Sequence, residues 1–340
     1  MIIQLKHDVT GNQFSRIETC LGEYGFAASR VRTQQGDYLI ALGKKDFDIR
    51  RIGTLDGVKD IHIVSDPYQL VSRKWKVKTT CIDLGDGVKI QEGDFAIMAG
   101  PCSIESEEQI ESTIGHLKAN DIRIMRGGVY KPRSSPYSFR GHGMDLLVPF
   151  YEKCKANGIK VLTEVMQVSQ IDEMHDYVDI FQVGARNCQN FNLLDELGKS
   201  DRAVLLKRGM SMTMEELLQA AEYLFSNGNE RIMLCERGIR TFEHEYRNTL
   251  DINAIPMLKE KSHLPVIVDP SHGIGLRRFV EPLCVAATVS GADGIIVEVH
   301  ESPEKALSDG QQTLNYAEST RMIRKVRAAH ELYQKMRDWD

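Results

Sequence analysis

From about Gly93 onward, short apolar runs alternate with longer amphipathic stretches. The first run begins at Phe95, and the others occupy residues 122–125, 159–162, 180–183, 203–206, 231–234, 265–268 and 294–297. Runs that are apolar at nearly every position are typical of parallel strands buried on both faces. Eight strand–helix units in succession therefore predict an α/β fold of the closed (β/α)₈ type, a TIM barrel.

The chain has 340 residues, more than the ~250 of a typical barrel. Residues 1–66 have the order strand, helix, two strands, short helix and strand, which predicts a small ferredoxin-like α+β domain for regulation or assembly. Residues 67–93 form a connector and a hairpin that turns at Asp86-Gly87 and plugs the N-terminal end of the barrel. We therefore expect the catalytic barrel to occupy residues 94–340.

The composition excludes several classes of protein. The net charge of −5 and the pI near 6.1 argue against a nucleic-acid partner, because a basic surface is missing. The seven cysteines include no Cys-x-x-Cys pair, and the first residues lack the features of a signal peptide. No uncharged apolar run approaches the roughly 18 residues that a membrane helix needs. We expect a water-soluble cytoplasmic protein with reduced thiols and no membrane partner.

The residues that follow the runs are unusually basic for an acidic chain. Barrel enzymes carry their active sites at the C-terminal ends of the strands, so these residues are expected to share one rim. Taken singly, each is best explained as a solvated charge or an ion pair. The cations at these positions are Arg126, Lys131, Arg186, Lys207, Arg208 and Arg237. Taken together, Arg126, Lys131, Arg186, Lys207 and Arg237 could hold a substrate that carries a phosphate and a carboxylate.

The loop at residues 131–136, Lys-Pro-Arg-Ser-Ser-Pro, is a second candidate anion site. Arg133 and two hydroxyls lie on a backbone stiffened by proline, which favours a second phosphate. A surface turn without a ligand is the alternative for this short segment.

Four further rim residues have the side chains of metal ligands. Cys102 follows the first run, His272 the seventh, Glu298 ends the eighth, and Asp309 lies in the loop beyond it. A thiolate, an imidazole and two carboxylates suit one divalent Mn, Fe, Co or Zn ion better than Mg or Ca. Each residue alone is more often structural, and we interpret His244 and His300 in that way.

Eight strings occur together in a characteristic order. They are Ala-Gly-Pro-Cys-Ser (99–103), Arg-Gly-Gly (126–128), Lys-Pro-Arg-Ser-Ser-Pro (131–136), Gly-Ala-Arg-Asn (184–187), Leu-Lys-Arg-Gly (206–209), Cys-Glu-Arg-Gly (235–238), Asp-Pro-Ser-His (269–272) and Glu-Val-His (298–300). With them the chain closely resembles 3-deoxy-D-arabino-heptulosonate 7-phosphate (DAHP) synthases of the type I beta subclass, some of which carry a ferredoxin-like regulatory domain. The resemblance implies condensation of phosphoenolpyruvate with erythrose 4-phosphate and water, the first step of the shikimate pathway to aromatic amino acids.

The resemblance also implies roles for individual residues. The metal ligands are the four residues named above. Glu164 is our candidate to orient or deprotonate the water, and Asp269 to position the aldose or a water held by the metal; an ion pair of Glu164 with a rim arginine is the alternative. Lys131, Arg133 and Ser134 face the aldose phosphate, and Lys131 also takes part in catalysis. Phosphoenolpyruvate is held by Arg126, Lys131, Arg186, Lys207, Arg237 and the backbone of Ala185.

Two other functions compete with this one. A 3-deoxy-D-manno-octulosonate 8-phosphate synthase shares the barrel but uses arabinose 5-phosphate, and its strand-two loop resembles Lys-Ala-Asn-Arg-Thr-Ser instead. A non-catalytic amino-acid sensor is disfavoured by the intact ligand sets. The leading domain is expected either to bind an aromatic amino acid as effector or to serve assembly, and the resemblance suggests a homotetramer.

Overall fold

The computed structural model describes residues 1–43, 47–132, 135, 137 and 139–337. Its strands are β1 (Ile2–Leu5), β2 (Ala27–Arg32), β3 (Asp37–Leu42), β4 (Val58–His62), β5 (Ile82–Asp83), β6 (Lys89–Ile90), β7 (Ala96–Gly100), β8 (Ile124–Arg126), β9 (Lys160–Val165), β10 (Ile180–Val183), β11 (Ala203–Lys207), β12 (Ile232–Glu236), β13 (Val266–Val268) and β14 (Gly294–Glu298). Its helices are α1 (Gly11–Glu23), α2 (Arg50–Gly53), α3 (Glu107–Ala119), α4 (Met144–Ala156), α5 (Ser169–Met174), α6 (Phe191–Lys199), α7 (Met214–Ser226), α8 (Ala254–Lys261), α9 (Pro270–Ile274), α10 (Arg277–Val289) and α11 (Tyr316–Arg337).

The N-terminal residues form a small four-stranded sheet with the order β2-β3-β1-β4, in which all neighbouring strands are antiparallel. Helix α1 begins at a capping box between Thr10 and Gln13. It packs Ile17 and Leu21 against Ile3 on one face of the sheet. Helix α1 therefore covers one face of this sheet with apolar side chains.

The other face of this sheet packs against the barrel of the same chain. The ring of Tyr38 on β3 lies 6.2 Å from the ring of Phe225 on α7. Beyond β2, the hydroxyl of Thr33 donates to the buried carboxylate of Glu230 at 2.7 Å. Apolar packing and a buried hydrogen bond therefore join the two parts.

Strands β7 to β14 close into a parallel eight-stranded barrel, each paired with its neighbours in chain order. The prediction of a TIM barrel from the eight apolar runs is confirmed. The boundaries differ by one to three residues: β8 begins at Ile124 rather than Ile122, β9 extends to Val165 rather than Leu162, and β14 extends to Glu298. Among the helices of the described residues, none is long and apolar enough to cross a membrane.

The hairpin β5-β6 closes the N-terminal end of the barrel. Its apolar side chains belong to the same buried cluster as the inward-facing residues of the strands. Arg231, at the start of β12, donates to the carbonyl of Asp83 at 2.6 Å, and Lys160 at the start of β9 pairs with Asp86 at 2.8 Å. The barrel interior is therefore open at one end only.

Buried His263, just before β13, ties the connector to the barrel. Its Nε2 lies 2.8 Å from the carbonyl oxygen of Leu70, which only accepts hydrogen bonds, so the proton must be on Nε2. Its Nδ1 then accepts from the hydroxyl of Thr80 at 2.8 Å. Burial, helped by the charge of Lys76, lowers the pKa of His263 to about 3.

This histidine predicts a loss of stability in mild acid. The unfolded chain protonates the imidazole near its ordinary pKa of 6.5. The neutral His263 imidazole therefore makes its full contribution to the free energy of unfolding above pH 6.5. This contribution is lost as the pH falls toward 3, by about 1.4 kcal/mol per pH unit. Between pH 7.5 and pH 5, urea denaturation should show the unfolding free energy of the wild type falling by about 2 kcal/mol more than that of His263→Gln.

Glutamine at this position keeps one donor and one acceptor, which isolates the effect of charge. The exposed His7→Gln is the matched control and should keep the wild-type dependence on pH. If wild type and His263→Gln lost stability in parallel, the assigned role of His263 would be wrong.

Candidate active site

A polar layer lies directly above the apolar interior of the barrel. Side chains two residues apart on a strand point to the same face. Ile124, Leu162 and Ile180 point inward. The residues two positions after each inward apolar side chain therefore face the barrel axis at its open end. This layer consists of Arg126, Glu164, Gln182, Lys207, Arg237, Asp269 and Glu298.

Gly100 has the corresponding position on β7 and must be a glycine. Its φ is +155°, and a Cβ there would lie 2.1 Å from the carbonyl oxygen of Arg126. Because Gly100 has no side chain, β7 and β8 can approach each other closely just before the segment that contains Cys102. This close approach is one reason why the thiol reaches the layer.

Cationic groups dominate the cavity at this end. It has a volume of about 100 Å³, and six cationic side chains but only two carboxylates line it. The lining residues are Arg126, Lys131, Pro132, Glu164, Gln182, Gly184, Ala185, Arg186, Lys207, Arg237, Arg247, His272 and Asp309.

Two of the guanidinium groups are incompletely paired. Arg126 donates through Nη1 to Glu298 and to the carbonyl of Pro101, but its buried Nε has no partner within the described part of the chain. The buried Nη1 of Arg237 likewise has no partner there, and burial lowers the pKa of Arg237. Buried cations without enough counter-charge are costly, so the site favours a bound anion.

Three of the four residues proposed as metal ligands form one cluster. Ligand atoms of Cys102, Glu298 and Asp309 all lie within 4.8 Å of one another, and the Cys102 Sγ is 3.0 Å from Asp309 Oδ2. His272 is not part of that set, but its Nε2 lies 3.3 Å from Glu298 Oε1. The spacing of the three ligand atoms suits donors around one ion, whose bonds are about 2.0–2.3 Å long.

The Cys102 thiol is held beside a cation. Burial and the charge of Glu298 raise its pKa to about 12. Lys131 opposes this, since its Nζ lies 2.9 Å from the sulfur and also donates to the Cys102 carbonyl at 3.1 Å. Lys131 is therefore placed to balance a thiolate once the proton has left.

Asp269 connects the metal ligands to the cations. Its Oδ2 accepts from Nδ1 of His272 at 2.7 Å and from Lys207. Burial tends to raise the pKa of Asp269, but the charges of His272 and Lys207 hold it well below its ordinary value. The contact with Nδ1 leaves Nε2 of His272 directed at Glu298, as expected of a metal-binding imidazole.

The structure brings together those residues predicted to bind substrate or metal that it describes, whereas Arg208 lies outside the cavity. Arg133 and Ser134 lie outside the described residues. Glu164 has no ion-pair partner within the described part of the chain; it accepts a hydrogen bond from Gln182 instead. His300 is buried near Glu105, and His244 is exposed.

The interpretation of Arg208 as a rim cation is wrong. Arg208 follows Lys207 directly, so its side chain points to the opposite face of the strand. There Nη1 donates to Glu236 at 2.8 Å and to Asp251 at 2.9 Å. Burial raises the pKa of Glu236, and Arg208 opposes this rise. Arg208 therefore supports the loop after β12 and does not face the substrate cavity.

Three residues of the site were not predicted. Gln182 lies inside an apolar run. Its position two residues after the inward-facing Ile180 is the one sequence signal that its side chain faces the barrel axis. Arg247 contacts Asp309 at 3.4 Å, and Gln312 donates to Glu298 at 2.8 Å. Both lie in long loops that have no periodic pattern, so the sequence contains no signal for their approach.

Comparison with known proteins places this geometry in a family. The sequence profile of the DAHP synthetase I family matches residues 75–335. A phospho-2-dehydro-3-deoxyheptonate aldolase of Thermotoga maritima is 45% identical over 317 residues, which are 93% of this chain and 94% of the relative. A 2-dehydro-3-deoxyphosphooctonate aldolase of Geobacter sulfurreducens is 33% identical over 253 residues, 69% of this chain and 92% of the relative.

Solved structures agree with this assignment. The crystal structure of a phospho-2-dehydro-3-deoxyheptonate aldolase (DAHP synthase) from Thermotoga maritima covers 97% of each chain at 42% identity, with a TM-score of 0.78. A truncated 3-deoxy-D-arabino-heptulosonate 7-phosphate synthase from the same organism matches 78% of this chain and 97% of its own, at 45% identity and a TM-score of 0.73.

The structural role of Arg208 can be tested by denaturation. Arg208→Met leaves the buried carboxylate of Glu236 without its cation, and we expect it to lower the unfolding free energy by about 3–5 kcal/mol. The double variant Arg208→Met/Glu236→Met should recover much of this loss. Arg324→Met, at an exposed helix position, is the control and should change it by less than about 0.5 kcal/mol. A stable but inactive Arg208→Met would instead assign Arg208 to the active site.

Proposed function

The chain belongs to the DAHP synthetase I family, and on that premise we propose that it condenses phosphoenolpyruvate with erythrose 4-phosphate and water to give DAHP and inorganic phosphate. The observation that carries the proposal is the ring of under-compensated cations beside a cluster of metal-ligand side chains. We assign the chain to the type I beta subclass, because the four-stranded order of its N-terminal domain is that of a ferredoxin-like fold.

Phosphoenolpyruvate carries close to three negative charges in a small volume. Lys207 and Arg237 come from adjacent strands, Arg126 from across the barrel, and Lys131 and Arg186 from the loops above. With the backbone of Ala185, they supply donors for both the phosphate and the carboxylate. The unpartnered Nη1 of Arg237 and Nε of Arg126 are the donors that the anion would satisfy.

The aldose phosphate is assigned to the loop that follows β8. Lys131 reaches down to Cys102 while Pro132 lines the cavity, so the described start of this loop lies beside the metal-ligand cluster. Arg133 and Ser134 follow directly, and we propose that they hold the phosphate of the aldose. The aldehyde end would then face the cluster, close to the enol carbon of phosphoenolpyruvate.

Cys102, His272, Glu298 and Asp309 would hold one divalent Mn, Fe, Co or Zn ion. Its chemistry would be that of a Lewis acid, which makes the aldehyde carbon more electrophilic. Lys131, adjacent to the sulfur, would also be close enough to donate a proton to the oxygen that develops negative charge.

Glu164 and Asp269 receive different roles. Glu164 faces the cavity without a cationic partner in the described chain, and we propose that it takes a proton from the water that attacks phosphoenolpyruvate. Asp269 is buried against Lys207 and His272. We propose that it orients these two side chains rather than contacting the aldose.

The remaining assignments follow from the family and from the domain at the N-terminus. We propose a cytoplasmic homotetramer whose ferredoxin-like domain senses an aromatic amino acid. Its support is the separate apolar core of that domain and its packing on α7, which gives it a fixed position on the barrel.

The choice of aldose tests the proposed function. With metal-supplemented protein and phosphoenolpyruvate, erythrose 4-phosphate should release phosphate with a kcat/KM about 100-fold or more above that for arabinose 5-phosphate. Mass spectrometry should identify DAHP as the product. A preference for arabinose 5-phosphate would indicate an octulosonate synthase, and no phosphate release with either aldose would favour a non-catalytic sensor.

Removal of the metal ligands tests the cofactor. Cys102→Ser and His272→Ala should each bind Mn²⁺ or Zn²⁺ about tenfold or more weakly, as measured by competition with a metallochromic dye, and should lose turnover. Circular dichroism should remain that of the wild type. Cys20→Ser, far from the cavity, is the matched control and should behave as wild type. Full activity after exhaustive chelation would contradict metal dependence.

A further inference from the structure

One buried amide in the cavity is only half satisfied. Gln182 on β10 is 3% exposed and lines the cavity. It lies directly beside Glu164 in the register of β9 and β10, and its Nε2 donates to Glu164 Oε2 at 3.1 Å. Its Oε1 is buried and has no hydrogen-bond partner among the residues that the structure describes.

The orientation of this amide is dictated by chemistry. An ionised carboxylate only accepts hydrogen bonds, so the NH₂ group of Gln182 must face Glu164. The opposite orientation would bring two acceptors together. The carbonyl oxygen of Gln182 is therefore fixed on the side away from the carboxylate, and a buried acceptor without a donor is unfavourable. A donor from the cavity contents is needed to satisfy it.

The substrate carboxylate and phosphate cannot supply that donor, because both groups are acceptors. The nearby cations Arg126, Lys207 and Arg237 are already assigned to the phosphate and carboxylate of phosphoenolpyruvate. Water has two O–H donors, and the reaction consumes one water molecule. A water that donates one hydrogen to Glu164 and the other to Gln182 Oε1 would have its lone pairs directed into the cavity.

The backbone next to this pair is adapted to it. A Cβ at Gly184 would lie 2.1 Å from Glu164 Oε1. Only a residue without a side chain leaves the carboxylate in the position where it meets the amide of Gln182. The position of the Glu164 carboxylate thus depends on the Nε2 donor of Gln182 on one side and on the absence of a side chain at Gly184 on the other.

We propose that Gln182 positions the attacking water, by holding the Glu164 carboxylate through Nε2 and by accepting a hydrogen bond from the water at Oε1. The proposal rests on the proposed function. The π electrons of the C2=C3 bond of phosphoenolpyruvate form the bond from C3 to the aldehyde carbon, whose oxygen takes up a proton. The water oxygen bonds to C2 and gives a proton to Glu164. The bond from C2 to the phosphate oxygen then breaks with its electron pair leaving on inorganic phosphate, and the hydroxyl at C2 loses its proton to form the ketone.

No further reactant is needed for this sequence. The two protons of the water end on the hydroxyl formed from the aldehyde and on the released phosphate. The amide of Gln182 neither gains nor loses a proton, so it is a positioning residue whose effect is on geometry.

The test compares Gln182→Met and Gln182→Glu with the wild type. Methionine has a similar volume and no amide, and we expect kcat to fall about 10- to 100-fold while the KM for phosphoenolpyruvate changes less than about threefold. In Gln182→Glu, only the protonated side chain can donate to Glu164 and accept from water. Its activity relative to wild type should therefore rise as the pH is lowered from 8 to 6.

Gln170→Met is the matched control, because Gln170 is equally buried but accepts hydrogen bonds from the backbone of Met166 and Gln167 away from the cavity. It should keep the wild-type kcat. If Gln182→Met fails to fold, the pH profile of Gln182→Glu carries the test.

The outcomes separate this inference from the proposed function. Wild-type phosphate release together with an undiminished kcat in Gln182→Met, or a raised KM alone, would overturn the role of Gln182 and leave the enzyme assignment intact. A pH profile of Gln182→Glu that parallels the wild type would do the same. No phosphate release by the wild type would overturn both.

Discussion

The active site depends on buried cations and carboxylates that are held at the C-terminal end of the barrel, largely shielded from solvent. The floor below them is a closed apolar barrel interior, sealed by the hairpin β5-β6. In such surroundings each cation needs a fixed counter-charge or a bound anion. Glu298 and Asp269 provide part of the compensation. Arg126 Nε and Arg237 Nη1, which have no partner among the described residues, are donors that a bound anion could satisfy.

Shared carboxylates join the anion site to the metal-ligand cluster. Glu298 accepts from Arg126 and Gln312 and lies 3.3 Å from His272. Asp269 contacts both His272 and Lys207. A change of charge or position on one side of the cavity therefore acts on the other through a single side chain. We therefore expect occupation of either site to change the affinity of the other, because coupling between binding sites is reciprocal.

The fold and most of the site were predictable because both follow from strand periodicity. Buried parallel strands require continuous apolar runs, and the residues at their ends must share one rim. The same periodicity explains the error at Arg208, which lies one residue beyond an inward side chain and faces outward. Gln182 was overlooked because a single polar residue in an apolar run resembles core. Arg247 and Gln312 approach through long loops, and their contacts depend on tertiary packing that has no local pattern.

The hairpin at the N-terminal end of the barrel affects how substrates enter the cavity and how products leave it. Because the barrel is closed at its N-terminal end, every molecule enters and leaves through the opening at the C-terminal end. A molecule that binds later therefore covers one that is bound deeper. Lys207 and Arg237 project from strand ends, whereas Pro132 and Arg186 lie in the loops above them. Under the proposed assignment of the substrates, the compound held by the strand-end cations would therefore bind before the loops are occupied.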